Sequence, residues 1–360
     1  MSKKGLKSRK RREQTIAIII VAAVVLIATA AILIFAASKN ENLGNSEHDH
    51  DHNSQSKVEL NLKVSLMGDE HSIHYASLKA FEEAVEKQSN GEILVTIEES
   101  GKLGTEANVL ESMVKGKKVA DIVITDVANL TSYDDRMDIS ALPFLFSSYE
   151  EANRFMNSSI QSEIESTLIS KNIRVLAHYT DGFDYLLANK PVSNVKDMVG
   201  LKVSAIDQKF IATTIRSLKA EPKLSDAAGI YQVLKNKESD AYMGSLDVAV
   251  NYRLYQTQQY LSMTYHKYHA LAFVISEDTW KSLTESQQNI IKSAAKESEN
   301  IDVKTTKTNE ENLISRIASA GVRKIYPDLK SMVELGAAII RGYQAQYSSY
   351  VERIISEYMN

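Results

Sequence analysis

The sequence contains no cysteine among its 360 residues. A disulfide framework and a thiolate zinc site are therefore excluded, as are a lipid-modified cysteine anchor and a cysteine nucleophile. The sequence also has no Gly-x-Ser-x-Gly elbow, Walker loop, His-Glu-x-x-His helix or Gly-x-Gly-x-x-Gly turn. These absences argue against an enzyme, and we expect no cofactor. Acidic residues are abundant, so a hydrolase with paired carboxylates stays open as a weaker alternative.

Charge is distributed unevenly along the chain. Residues 1–14 hold seven lysines and arginines and one glutamate, a net charge of +6, whereas the whole chain carries −4 and the remainder therefore −10. A basic tip before an acidic body is typical of the cytoplasmic flank of a membrane segment. A nucleic-acid-binding arm is the alternative, and the apolar segment that follows argues against it. We expect no nucleic-acid partner.

A long apolar run follows the basic tip. Residues 16–37 are 22 residues without a charge, which is long enough to cross a hydrocarbon core of roughly 30 Å. The positive residues before the run predict a single-pass anchor with residues 1–15 in the cytoplasm and the bulk of the chain outside. A cleaved signal peptide is the alternative, with Ala36-Ala37-Ser38 as its cleavage site. Its apolar region is normally only about 7–15 residues, so the sequence favours an uncleaved anchor.

Residues 38–56 are polar and lack an apolar period, which predicts a flexible linker. Three histidines, His48, His50 and His52, alternate with acidic residues inside it. Imidazoles at this spacing are weak candidates for a zinc, nickel or copper site. A solvated linker is the favoured interpretation, because nothing rigid would fix the ligand geometry.

Alternating and helical hydrophobic patterns follow the linker in turn. Residues 58–64 and 93–97 alternate at period two, and His74, Leu78, Phe81 and Val85 between them recur at helical spacing. This order predicts a βαβ unit and a parallel sheet. Further strands are predicted at 119–125, 174–178, 183–188, from 201, 240–243, 270–276 and 322–325. Further helices are predicted at 105–115, from 148, 209–218, from 226 and 285–320.

The C-terminal region carries an apolar stripe at helical spacing. Its members are Leu335, Ile339, Tyr343, Tyr347, Tyr350, Val351, Ile354 and Ile355. A helix packed on its own domain is the favoured interpretation, and a helix that binds a partner or a second copy is the alternative. His71 and His74, near the predicted start of the first helix, are interpreted as exposed.

Residues 179–207 form the stretch around which the chain is organised. A predicted strand ends at Lys190-Pro191, a helical turn covers 194–198, and Gly200 precedes the next strand. Together with residues 141–146, Tyr231 and Asp240, this stretch resembles the solute-binding subunits of TRAP transporters, the DctP family. The resemblance covers roughly residues 58–328.

This resemblance implies an α/β, two-lobed fold of the periplasmic-binding-protein type, with a hinge and a long crossing helix, preceded here by the predicted transmembrane helix. Lobe I would contain residues 58–180 and 268–305, and lobe II residues 181–267 and 306–360. The hinge would lie near 179–182 and 266–270. The implied function is capture of a small solute by lobe closure and its delivery to a membrane permease. A tethered sensor for a signalling partner is the alternative.

Ligands of open α/β sheets lie beyond the carboxyl ends of the strands. This rule selects Asp126, Asp184 and Gly244 as candidate binding residues. The resemblance adds Glu106 and Tyr231. Two further candidates come from the central stretch: Ser204, and Asp207, which ends it.

The candidate site departs from the family at three positions. Asp184 and Ser204 stand where the family usually has arginines that pair with the carboxylate of the solute, and Gly244 stands where asparagine is usual. Neither aspartate nor serine reproduces the fork of a guanidinium. We therefore expect a neutral polyol, a sugar or an amine-bearing solute in preference to a simple carboxylate. Lys202 and Arg216 are the cations considered able to reach the cleft.

Overall fold

The computed structural model describes residues 58–342 and 349–358. The predicted anchor and the linker with His48, His50 and His52 lie outside the described residues. Among the residues that are described, no helix is both long and apolar enough to cross a membrane.

The described strands form one mixed sheet. The strands are β1 (Leu60–Ser65), β2 (Ile93–Glu98), β3 (Ile122–Asp126), β4 (Ile173–Ala188), β5 (Lys202–Ile206), β6 (Glu221–Ser225), β7 (Ala241–Ser245), β8 (Tyr260–Ser276) and β9 (Arg323–Ile325). Their order is β2-β1-β3-β8-β4-β7-β5-β6, and β9 pairs with β8.

Two parallel groups lie at opposite ends of this sheet. β1 pairs in parallel with β2 and β3, and β5 pairs in parallel with β6 and β7. The long strands β4 and β8 pair antiparallel with each other and join the two groups. The α/β class is as predicted, and the parts of the fold built on β1–β3 and on β5–β7 are called lobe I and lobe II below.

Sequence patterns located most strands, but they divided β4 and predicted only residues 270–276 of β8. The predicted strands 174–178 and 183–188 are parts of the continuous β4, whose pairing with β8 is irregular between Thr180 and Gly182. Strand β6 was not predicted. It contains Pro222 and lies at the edge of the sheet, where a residue without an N–H is tolerated. Its sequence lacks the alternation of a half-buried strand.

The helices cover the faces of this sheet. They are α1 (Ile73–Gln88), α2 (Glu106–Val114), α3 (Val127–Leu130), α4 (Tyr149–Met156), α5 (Ser159–Ser166), α6 (Ile211–Ser217), α7 (Ala227–Lys235), α8 (Leu246–Asn251), α9 (Glu277–Ser282), α10 (Glu285–Ser319), α11 (Leu329–Gly342) and α12 (Ser349–Tyr358). Short 3₁₀ helices cover Asp135–Ala141, Thr167–Lys171, Val195–Met198 and Leu254–Gln256. The long α10 contacts α1, β4 and α8, and therefore spans the two lobes.

The buried hydrophobic side chains of the described residues form three clusters, and the largest runs through both lobes, from Val123 on β3 to Tyr242 on β7. In lobe I, Leu62, Phe81 and Ile291 belong to a cluster between the sheet, α1 and α10. In lobe II, Val203, Ile215, Met332 and others form a second cluster. Burial of these side chains is the main favourable term for each lobe.

The C-terminal stripe packs into the protein where it is described. Ile339, Tyr350 and Ile354 are buried, as a helix packed on its own domain predicts. Tyr343 and Tyr347, and the side chains of Val351 and Ile355, lie outside the described residues.

Candidate solute-binding site

Two cavities meet where β4 and β8 pass between the lobes. The larger, of about 230 Å³, is lined by Asp126 and Asp138 of lobe I, by residues 208–210 of lobe II and by residues 267–270 of β8. The smaller, of about 60 Å³, is lined by Asp184, Gly244 and their neighbours. Gln208 and His269 line both cavities, so the two form adjoining parts of one cleft.

Asp184 is a buried, ionised carboxylate at the wall of this cleft. Its Oδ1 lies 2.8 Å from Nε2 of His269. Burial alone would raise the pKa of Asp184, but the charge and hydrogen bond of His269 lower it to about 2, assisted by His266 and Lys267. The position where the resemblance places an arginine therefore carries a negative charge held by an imidazole.

Asp126 and Glu106 lie on the lobe I side of the cleft. Asp126 Oδ1 accepts a hydrogen bond from the N–H of Ala128 at 2.8 Å and caps α3. Glu106 Oε2 accepts from the N–H of Asp126 at 2.9 Å and from Asn129 Nδ2 at 3.2 Å. Burial raises the pKa of Glu106, and the negative charge of Asp126 adds to the rise. Asp126 faces the larger cavity, whereas Glu106 holds the backbone of Asp126 in place.

Further acids surround the hinge. Burial raises the pKa of Asp247, at the start of α8, and the charge of Asp181 raises it further. Asp181 is half exposed and lies 2.8 Å from Nε2 of His74. Asp181 and Asp247 influence each other's charge but line neither cavity.

The interpretation of His74 as an exposed helix-start histidine is wrong. Its side chain is 12% exposed, and Nδ1 lies 2.7 Å from Oδ1 of the buried Asp302 on α10. Burial alone would lower the pKa of His74, but the hydrogen bonds and charges of Asp181 and Asp302 raise it to about 10. The imidazolium thus ties α1, β4 and α10 together beside the cleft. His71 is exposed, as predicted.

Gly244 leaves room for a neighbouring ring. A Cβ at this position would lie 2.3 Å from the hydroxyl oxygen of Tyr242 and 2.6 Å from its Cζ. The Tyr242 ring therefore occupies the space in which the family's asparagine side chain would begin. The hydroxyl of Tyr242 donates a weak hydrogen bond of 3.4 Å to the carbonyl oxygen of Ser245.

Four predicted residues line neither cavity: Glu106, which lies behind Asp126, and the three that follow. Ser204 is buried on β5, and its hydroxyl has no hydrogen-bond partner among the described residues. Asp207 is exposed just beyond the same strand. Tyr231 lies on α7, with the Lys235 ammonium 5.9 Å from its ring centroid.

The cations of the cleft are not those considered from the sequence. Lys202 and Arg216 are exposed and line neither cavity. Lys209 and Lys267 line the larger one, together with His269. The signal for two of them was present: residues 265–269 place two histidines and a lysine within an otherwise apolar strand, at the predicted hinge.

Comparisons with known proteins agree with this architecture. Residues 65–347 match the family model described as bacterial extracellular solute-binding protein, family 7, DctP. A sialic acid-binding periplasmic protein of Vibrio cholerae is 25% identical over 76% of this chain and 85% of its own length. A 2,3-diketo-L-gulonate-binding periplasmic protein of Escherichia coli is 25% identical over 71% of this chain and 77% of its own length.

A solved structure supports the fold. A TRAP periplasmic solute-binding protein from Ochrobactrum anthropi, with a C-terminus bound in the ligand-binding pocket, superimposes with a TM-score of 0.77. It is 23% identical, and the match covers 83% of this chain and 94% of the other. The family match spans well over half of the sequence. The chain belongs to the DctP family of bacterial extracellular solute-binding proteins.

Proposed function

We propose that this chain is the membrane-tethered receptor of a TRAP-type transporter, which captures a small solute between its lobes and delivers it to membrane permease subunits. The observation that carries the proposal is the cleft at the crossing of β4 and β8. Both lobes contribute side chains to it, and His269 reaches both of its cavities. Closure of two lobes around a solute is an established mode of switching.

The proposed lobes are residues 58–180 with 268–305 and residues 181–267 with 306–360. The proposed hinge lies near 179–182 and 266–270. The pairing of β4 with β8 is irregular at three places, between Val175 and Ala177, Thr180 and Gly182, and Asp184 and Leu186, and the second lies within the proposed hinge. A disrupted ladder bends more easily than a regular one, which supports a bend in this part of β4. Small-angle scattering should show compaction when a saturating solute is added, and an unchanged radius of gyration would argue for a rigid receptor.

The proposed solute is a neutral polyol, a sugar or an amine-bearing molecule. The two relatives named above take their names from sialic acid and 2,3-diketo-L-gulonate, which both carry a carboxylate. In this chain the ionised Asp184 would repel such a group, and Asp126 faces the same cleft. Binding a carboxylate there would cost desolvation and repulsion.

A thermal-shift screen tests both the function and the class of solute. Glucosamine, glucose and glucuronate form a matched set, because they share one ring and differ in charge; the screen would extend to other acids, polyols and amines. A solute that binds the native state raises the unfolding temperature by mass action. Stabilisation by glucuronate-like acids alone would overturn the proposed class, and conversion of the solute to a new compound would favour a hydrolase.

The proposed tether is the uncleaved segment 16–37, with residues 1–15 in the cytoplasm and the receptor outside. Its support is the uncharged run of 22 residues behind seven basic ones. Protease added to intact cells without an outer membrane should degrade the receptor. A protected receptor, or a mature amino terminus near Lys39, would contradict the tether.

A further inference from the structure

Asp138 is a buried carboxylate that faces the cleft. It lies in the 3₁₀ helix Asp135–Ala141 of lobe I, lines the larger cavity, and has a side chain only 4% exposed. A buried carboxylate is costly unless a cation or several hydrogen-bond donors offset its charge. Asp138 therefore needs a partner that offsets its negative charge within the cleft.

The ammonium of Lys209 supplies that counter-charge from the opposite lobe. Nζ of Lys209 donates to Oδ2 of Asp138 across the cleft. Lys209 comes from the segment between β5 and α6 in lobe II, and its side chain is 50% exposed. The two partners differ in one decisive respect: Lys209 can withdraw into water at little cost, whereas Asp138 cannot.

The other charged and titratable side chains that line the larger cavity do not pair with Asp138. Asp126 adds a second carboxylate to the cavity wall. Lys267 donates a hydrogen bond to Oε1 of Gln208, and His269 is held by Asp184. Among the described residues, the ion pair of Asp138 is therefore with Lys209 alone.

We propose that Lys209 is a built-in occupant of the solute site. Its ammonium fills the position in which an ammonium group of the solute binds Asp138, and the arriving solute displaces it into water. This inference rests on the proposed function and narrows it to solutes that carry a primary amine, such as an amino sugar or an amino polyol. No bond is formed or broken; one ion pair replaces another.

Chemical rescue tests the inference without knowledge of the solute. Lys209→Ala in the full-length chain removes the occupant and leaves a space beside Asp138 for a small alkylammonium ion. Propylammonium chloride should then raise the unfolding temperature on the order of 2 °C above that in sodium chloride of the same concentration. Fluorescence of Trp280, the single tryptophan of the chain and 4% exposed, reports unfolding.

Lys223→Ala is the matched control. Lys223 is also in lobe II, is 43% exposed and pairs with Glu221 at 2.6 Å, but it lines neither cavity. Propylammonium should not stabilise this variant or the wild type beyond sodium chloride. Propylammonium should also fail to stabilise the double variant Asp138→Asn/Lys209→Ala, which lacks the carboxylate. If that variant does not fold, Asp138→Ser/Lys209→Ala takes its place.

Equal stabilisation of the Lys209 and Lys223 variants would overturn the inference, as would stabilisation that persists without Asp138. Failure of the rescue alongside a solute found in the screen overturns this inference and leaves the proposed function intact. If propylammonium rescues the Lys209 variant but the screen finds no stabilising solute, the amine position at Asp138 is supported and the proposed function is not.

Discussion

Nε2 of His269 lies 2.8 Å from Oδ1 of Asp184, and the two residues are 85 positions apart in the sequence. Because Asp184 is ionised, the imidazole donates and the carboxylate accepts. The family's arginine position is thus reversed in charge, and strand β8 supplies its hydrogen-bonding partner from within the protein. Asp184 and His269 both line the smaller cavity, so the charge of this pair is part of the surface that a solute would meet there.

The first prediction concerns Asp184→Asn. The substitution removes a charged hydrogen-bond acceptor from the cleft and frees His269 from its anchor. We expect it to weaken binding of the amine or polyol found in the screen by roughly 1–3 kcal/mol. Isothermal titration calorimetry measures this loss. Asp226→Asn is the control, because it lies outside both cavities and asparagine also caps the helix that Asp226 begins. Unchanged affinity in Asp184→Asn would remove this residue from the site.

The second prediction concerns His74 and alkaline pH. The folded-state pKa of His74 is about 10 and its ordinary value is 6.5, so the folded protein holds this proton more tightly than the unfolded chain does. The resulting stabilisation is fully present below pH 6.5 and is lost as the pH rises through about 10. This contribution to the free energy of unfolding should be on the order of a few kcal/mol.

Urea unfolding of wild type and His74→Gln at several pH values measures this effect. The difference in unfolding free energy should be largest near neutral and acidic pH and should shrink toward pH 10. His71→Gln is the control, since the side chain of His71 is 83% exposed. A difference between wild type and His74→Gln that does not change with pH would show that His74 is not held as an imidazolium.

The third prediction compares two glycines that share a left-handed backbone. Gly182 has φ of 86° and Gly200 has φ of 73°. An added Cβ at Gly200 meets nothing within 4 Å, whereas at Gly182 it would lie 2.8 Å from the Tyr149 hydroxyl and 2.9 Å from Oε2 of Glu310. These two groups hydrogen-bond each other at 3.0 Å where α10 meets the proposed hinge.

Gly200→Ala should therefore destabilise by roughly 1–2 kcal/mol, the cost of the backbone conformation alone. Gly182→Ala should lose roughly 1–3 kcal/mol more, because Tyr149 and Glu310 must separate. Urea midpoints of the two variants give the comparison. Equal losses would mean that the hinge tolerates the added methyl group by moving.

The sequence predicted the helices and strands whose hydrophobic residues recur at a regular spacing. The helix predicted over 285–320 is α10, Glu285–Ser319, and the strand–helix–strand unit at the start of lobe I is β1, α1 and β2. The helix predicted over 105–115 is α2, Glu106–Val114, and Thr105 caps it. The hydrophobic period and the capping residues lie within a few positions of one another, so the sequence displays them directly.

The candidate site was predicted only in part, because strand ends are local but side-chain pairs are not. Asp126 ends β3 as the strand-end rule predicts, whereas Asp184, predicted near the start of a strand, lies within the continuous β4; both line the cleft. Ser204 occupies the family's position on β5, yet its side chain is buried away from both cavities. A match of position does not decide which way a side chain points.

The sequence by itself determined the alternation of strands and helices, and it shows an aspartate and a serine at the two positions where the family usually has arginines. Only the tertiary structure decided which groups contact the buried acids: His269 reaches Asp184 across 85 positions, and Lys209 reaches Asp138 across 71. The reason is physical. A buried carboxylate requires a counter-charge somewhere, but the chain's path through the sheet selects the cation that comes within hydrogen-bonding distance.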